Sequence, residues 1–310
     1  MCVLLAVIGT TGGCKQDAPE KPSPEAAPAA DKPVAMKTVG VSLLTQQHDF
    51  YKDLEGAMRA AAGERGLKLI IHSAEFDPAR QTAQVEDFIT QKVSAIVVCP
   101  CDSVGVVQII KRAYAAGIPA FTADIAAAGG EVIAHIASDN VQGGRLAART
   151  MAAHLDGKGE IVVIDHPEVA SVQDRVRGFV EEIAKHPEIK IIDRPSAGGM
   201  RDKAYAVAEN MLQSRPNLKG IFGINDDSAL GALRAVGNRD VIIIGYDATP
   251  EAREAIRKGT ALKADVVQYP DRIGRRTIEA VADHLEGKPV EKIIPIEVGI
   301  VDQASLSGGA

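Results

Sequence analysis

EVIAHIASDNVQGGRLAAR, Glu131–Arg149, is the stretch on which the reading of this chain turns. An apolar run from Val132 to Ala137 ends in the polar pair Asp139–Asn140 and passes through Gly143–Gly144 into a segment with helical spacing. A strand, a polar turn and a helix in that order make a βα junction. One α/β unit precedes it and a second follows, so the junction is read as the place where the chain crosses from one lobe to the other.

Upstream, short aliphatic runs alternate with longer amphipathic ones: TVGVSLL from Thr38, LKLIIHS from Leu67, SAIVVCP from Ser94 and IPAFTAD from Ile118 are separated by helical patterns. Downstream the scheme returns with GEIVVID from Gly159, IKIID from Ile189, LKGIFGIN from Leu218, DVIIIGYD from Asp240 and KADVVQY from Lys263. A helix over Arg272–Glu286 and one strand over Ile293–Val301 close the chain. This alternation predicts βαβ units and a mostly parallel sheet in each half. Gly66, Gly117, Gly157 and Gly259 fall where helices should stop, as glycine does just past a helix end.

The bulk numbers agree with a two-domain globular protein. The chain has 310 residues, 46% of them apolar, enough to bury a large core. A net charge of −6, with no Lys/Arg cluster, argues against a nucleic-acid partner. The N-terminus differs in kind. Val3–Ile8 is a short apolar run that leads through Thr10–Gly13 to Cys14. It is too short to span a bilayer, and small residues before a Cys resemble a bacterial lipoprotein signal, with Cys14 as the lipidated residue. No Lys or Arg precedes the run, and Thr11 stands where such signals usually carry Leu. Lys15–Met36, rich in Pro, Ala and charge, reads as an extended tether.

Ligands of open α/β sheets lie beyond the carboxyl ends of the strands. The polar or aromatic groups that fall there are Gln46, Gln47 and Phe50, then Asp124, then Asn225 and Asp226, then Asp247 and Gln268; Arg175 lies near a helix start. No nucleophile–base pair occurs among them, so no catalytic residue is expected. Carboxylates that accept from neighbouring hydroxyls, an Arg fork and an aromatic face suit a neutral polyhydroxylated ligand. Each also has a commoner use: Asp124 and Asp247 in turns or caps, Asn225 as one of several possible caps, Arg175 paired with Asp174 or Glu182. For Asp247 the capping use is weakened by Thr249–Pro250, itself a good helix start.

Other chemistry finds no support. Cys99-Pro100-Cys101 is not a C-x-x-C, and both cysteines are expected to be small buried residues. The seven His are scattered without an H-E-x-x-H, so no metal site is expected. There is no G-x-G-x-x-G after a strand and no P-loop, so no cofactor is expected. Gly143–Gly144 is assigned to close packing.

The segments GIPAFTAD, HIASDNVQGG, DRVRGF, FGINDDSALGALRA, VIIIGYDATPEA and VQYPDRIG resemble the periplasmic sugar-binding proteins of the ribose/galactose type, substrate-binding components of ABC transporters. The resemblance runs from Thr38 to the C-terminus. It implies a type 1 periplasmic binding fold: two similar Rossmann-like lobes, each a mostly parallel sheet flanked by helices, joined by three crossings. The lobes would be residues 38–138 with 269–297 and residues 139–268 with 298–310, after a signal over 1–14 and a tether over 15–37. The ligand contacts it implies are Phe50, Asp124, Arg175, Asn225, Asp247 and Gln268, with Gln47 at a polar contact position; Ala137, Ser138, Asp139 and Asn140 form part of a hinge. Ile125, Asp49 and Gly199 stand where ribose binders commonly carry an Arg and two aromatic residues, which points to a different monosaccharide or polyol as readily as to ribose. The implied protein is an extracytoplasmic, lipid-anchored monomer that serves an ABC permease. A sensor presenting the sugar to a receptor or kinase is the second reading, and an enzyme on the same scaffold the third.

Overall fold

The computed structural model describes residues 2–3, 9–13 and 36–307. Both lobes belong to the unit that begins at Met36. The lipidation expected at Cys14 and residues 15–35 of the expected tether fall outside the described residues.

The first half runs β1 (Thr38–Leu43), α1 (Asp49–Glu64), β2 (Lys68–Ser73), α2 (Pro78–Thr90), β3 (Ala95–Val98), α3 (Val107–Ala115), β4 (Ala120–Ala123) and β5 (Val132–Ser138). The second runs α4 (Asn140–His154), β6 (Lys158–Ile164), α5 (Ala170–Ile183), β7 (Glu188–Asp193), α6 (Arg201–Ser214), β8 (Leu218–Gly223), α7 (Asp226–Val236), β9 (Ile242–Asp247), α8 (Pro250–Arg257) and β10 (Leu262–Val267). The chain ends with α9 (Pro270–Leu285), β11 (Ile293–Ile296), β12 (Gly299–Asp302) and α10 (Gln303–Ser307).

Among the described residues two six-stranded sheets result, ordered β11-β5-β4-β3-β1-β2 and β12-β10-β9-β8-β6-β7. Every pairing is parallel except β12 on β10. The inner strands β3 and β4 are buried at every residue, as strands covered by helices on both faces must be. The edge strands β2 and β7 are open to solvent along most of their length. Local chemistry sets the helix starts. Asp77 accepts from Ala79 N and Arg80 N ahead of Pro78, and Thr249 caps α8 ahead of Pro250. At the helix ends Gly66, Gly117, Gly157 and Gly259 all take positive φ, although after α4 it is Asp156 that first turns left-handed.

The chain passes between the sheets three times: at Asp139 between β5 and α4, at Gln268–Tyr269 between β10 and α9, and at Glu297–Val298 between β11 and β12. The third passage corrects one expectation. Ile293–Val301 is not one strand: Ile296 pairs in parallel with Ser138 in the first sheet, and Gly299 pairs antiparallel with Val267 in the second. The alternation of apolar residues persists through the segment because both strands sit at sheet edges. Period two reports burial of one face and not which sheet supplies the partner.

The glycines of the opening stretch pack as expected. A Cβ on Gly143 would fall 2.1 Å from the Tyr246 hydroxyl, and one on Gly144 1.9 Å from Arg175 O. From the facing helix, a Cβ on Gly178 would fall 2.1 Å from Val141 O. Helices α4 and α5 therefore approach backbone to backbone, which places Arg175 against the crossing.

Candidate functional site

Between the lobes lies a cleft of about 410 Å³, counting its open mouth. Its first-lobe wall comes from the segments after β1, β2 and β4, chiefly Phe50, Tyr51, Phe76 and Asp124. Its second-lobe wall comes from the start of α5 and the ends of β6, β8 and β9, with Arg175, His166, Asn225 and Asp247; Gln268 enters from the second crossing. Six of the seven ligand contacts expected from sequence are thus brought together. Gln47 is not among the lining residues: it is exposed and its Nε2 donates to Glu75 Oε2 at 2.7 Å.

Asp124 and Asp247 both hold left-handed backbone, with φ of 64° and 123°, which costs a non-glycine residue on the order of 1–3 kcal/mol and clusters at ligand sites. Asp124 is buried, and its Oδ2 accepts from the Tyr51 hydroxyl at 2.5 Å while Oδ1 has no partner among the described residues. Burial raises its pKa, and the Arg175 charge and the Tyr51 bond oppose the rise. Asp247 accepts from Gln268 Nε2 at 2.7 Å and from Asp226 N at 3.3 Å. Burial and then neighbouring Asp226 push its pKa well up, again against Arg175. Gln268 Oε1 is a second buried acceptor without a partner among the described residues.

Arg175, 4% exposed, is held rigidly. Its Nε donates to Asn140 Oδ1 at 2.8 Å and its Nη1 to Ile224 O at 2.7 Å, and the guanidinium lies 3.9 Å above the Tyr246 ring. Neither Asp174 nor Glu182 pairs with it: Asp174 pairs with Arg177, and Glu182 with Arg149 and Lys185. Asn225 takes the cap of α7, its Oδ1 accepting from Ser228 N at 2.9 Å, while its Nδ2 donates to Gly199 O at 3.1 Å. Cap and cleft wall are therefore the same side chain. At the first crossing, Ala137 and Ser138 end β5, Asp139 caps α4 through Gln142 N, and Asn140 begins the helix.

Several groups escaped sequence reasoning. His48 lines the cleft and reaches across it, Nε2 lying 3.2 Å from Asp227 Oδ2, and Ala170 N donates to Ser103 Oγ at 2.9 Å on the other side. The lobes therefore meet across the cleft. His166 also lines it. Both histidines stand at strand ends, a signal that was available, but neither belongs to a spaced set. Beneath Asp247 lies a fully buried Asp265 beside Asp226. Burial first and the adjoining Asp226 carboxylate second push the Asp265 pKa well up. Asp265 sits inside a strand, where sequence gives no sign of a partner acid. Cys99 and Cys101 are both buried and free, as expected. No cluster of three metal-ligating side chains occurs among the described residues.

Comparison with known proteins places the geometry in context. The pattern of the periplasmic binding protein domain matches residues 39–289. The ribose import binding protein of Bacillus subtilis (strain 168) is 36% identical over 260 residues, which is 83% of this chain and 84% of that protein. An ABC transporter solute binding protein from Agrobacterium vitis, bound with α-D-tagatopyranose, superposes with a TM-score of 0.83 at 27% identity, over 88% of this chain and 97% of that one. Another from Bacillus halodurans, with bound myo-inositol, gives 0.81 at 28% identity, over 88% and 96%.

Proposed function

The chain belongs to the periplasmic binding protein domain family, whose relatives here are solute-binding proteins and not enzymes, and from that premise we propose how it works. It is the extracytoplasmic substrate-binding component of a sugar ABC importer, and it takes a monosaccharide or polyol between its lobes. The observation that carries the reading is the pair of buried acceptors without a partner among the described residues, Asp124 Oδ1 and Gln268 Oε1, in a cleft that also holds the Arg175 fork. An unsatisfied buried acceptor costs about 1–3 kcal/mol, and ligand hydroxyls remove that cost as donors. Phe50 covers a C–H face. Arg175 accepts no proton and donates to ring or hydroxyl oxygens.

Phe50, Asp124, Arg175, Asn225, Asp247 and Gln268 are the ligand contacts in this proposal, and Gln47 is dropped because it turns to Glu75. Ala137–Asn140 serves as one strand of the hinge. Bound sugar bridges the two walls only when they approach, so ligand favours the closed form, which the permease then reads. The anchor is Cys14, whose preceding small residues suit a lipoprotein signal. Calorimetry of the purified chain against ribose, tagatose, myo-inositol and xylitol tests the reading. Saturable binding of at least one supports it, and absence of binding to any sugar or polyol refutes it. In cells, Cys14→Ser should move the protein from the membrane fraction to the soluble one; unchanged fractionation would remove the anchor.

A further inference from the structure

His166 follows β6 and is 8% exposed, yet its ring makes no hydrogen bond with the described residues. Its Nε2 stands 3.6 Å from Glu168 Oε2, too far for a hydrogen bond. Its Nδ1 stands beside Gly199: a Cβ there would fall 3.2 Å from Nδ1 and 3.3 Å from Asn225 Nδ2, and Gly199 has φ of 68°. Glycine at this place leaves the imidazole edge uncovered, and both residues line the cleft. The first-lobe wall sets the apolar rings of Phe50 and Phe76 beside Asp124. The second-lobe wall thus adds to Arg175 and Asp247 a polar ring with bonds to make.

We propose that His166 is a specificity-determining ligand contact, pairing its imidazole with a hydroxyl on the side of the sugar turned toward the second lobe. The inference rests on the sugar-binding reading of the cleft. Burial lowers the imidazole pKa below its ordinary value; Glu168 opposes the fall, and His48, Arg175 and Lys203 add to it. Neutral near pH 7, the ring offers one N–H donor and one bare nitrogen acceptor. A hydroxyl matches either role, whereas a C–H at the same place leaves a buried polar atom unpaired. The site therefore selects sugars or polyols bearing that hydroxyl over analogues lacking it.

The test is calorimetric titration of the full chain, as wild type, His166→Phe and His166→Asn. The ligands are ribose, tagatose, myo-inositol and xylitol, followed by the monodeoxy analogues of the tightest binder. Wild type is expected to lose roughly 3- to 10-fold in affinity for the analogue lacking the hydroxyl that His166 reads. His166→Phe should bind the parent sugar more weakly by a similar factor and no longer distinguish it from that one analogue, while still distinguishing the others. His166→Asn, which keeps a polar atom where Nδ1 stands, should retain the discrimination and serves as the folded control. Parent affinity and full discrimination retained by His166→Phe would overturn the proposal. So would equal weakening toward every analogue, the mark of a structural role. Failure of wild type to bind any sugar would instead overturn the sugar reading, and this contact with it.

Discussion

Asn140 Oδ1 accepts from Arg175 Nε at 2.8 Å, so the guanidinium that faces the cleft is anchored to the first residue after the crossing between the lobes. The same Oδ1 accepts from the Tyr246 hydroxyl at 3.3 Å, and Asn140 Nδ2 donates to Ser138 O at 3.1 Å. A crossing residue with no place on the cleft wall therefore fixes the angle of a cleft-lining one. Asn140→Ala should weaken sugar binding by about 1–3 kcal/mol, the cost of an unpaired buried donor. Asn140→Asp, which keeps the acceptor, should recover most of it. Calorimetry on the two variants checks this, and equal affinities in both would break the link.

Direct removal of a charged contact should be costlier to binding than to folding. On the proposed contacts, Arg175→Ala and Asp247→Ala each remove hydrogen bonds to ligand, worth about 1.5–3 kcal/mol where charge-assisted, or roughly 10- to 150-fold in affinity. Asp247 is already pushed toward its neutral form by burial and by Asp226, so Asp247→Asn should cost less than Asp247→Ala. Binding isotherms give the ranking, with circular dichroism as the folding check.

Gly144→Ala should destabilise the second lobe rather than the ligand contacts alone. The added Cβ would stand 1.9 Å from Arg175 O, a backbone atom, so α4 and α5 must separate. Overpacking of this kind typically costs about 1–3 kcal/mol. Urea melts should show the loss with ligand absent. A Gly144→Ala protein as stable as wild type would contradict the close approach.

Asp265 predicts a pH dependence of stability. Its pKa is raised in the folded chain from an ordinary 3.8 by burial first and by Asp226 second. A raised carboxyl pKa means that the folded state binds more protons than the unfolded one. Stability from this group is then full below the ordinary value and is lost as pH climbs through the folded value. Asp265→Asn, which keeps the shape of the side chain without a titrating proton, should flatten that decline. Denaturation midpoints taken from pH 4 upward in wild type and variant measure it; identical slopes would exclude Asp265 as the source.

Ligand should also change the shape of the molecule. Because the two walls come from different sheets linked by three chain crossings, solution scattering should show a smaller radius of gyration at saturating sugar than without it. Unchanged dimensions would argue that the lobes do not hinge.

Much of this was legible in the chain itself, for definite reasons. Burial on both faces of a parallel sheet forces aliphatic runs such as VIIIGY and AIVV, and amphipathic helices must lie between them, so the two α/β halves are written in the order of residues. Strand ends are the places where such a sheet meets ligand, so Asp124, Asn225, Asp247 and Gln268 could be named before any coordinates. The double glycine at 143–144 likewise announced a close approach.

Tertiary structure alone decided which groups meet. Period-two alternation over Ile293–Val301 reports half-burial, and only the sheets determine that its two ends pair with Ser138 and with Val267. Gln47 and Phe50 stand three residues apart, yet the turn into α1 sends one to Glu75 and the other to the cleft. The support of Arg175 by Asn140, the acid pair Asp226–Asp265 and the uncovered ring of His166 join residues distant in sequence. Local propensity carries no term for such pairs. They arise when packing brings low-dielectric surroundings and a partner, or the lack of one, to a side chain whose sequence neighbours are silent about both.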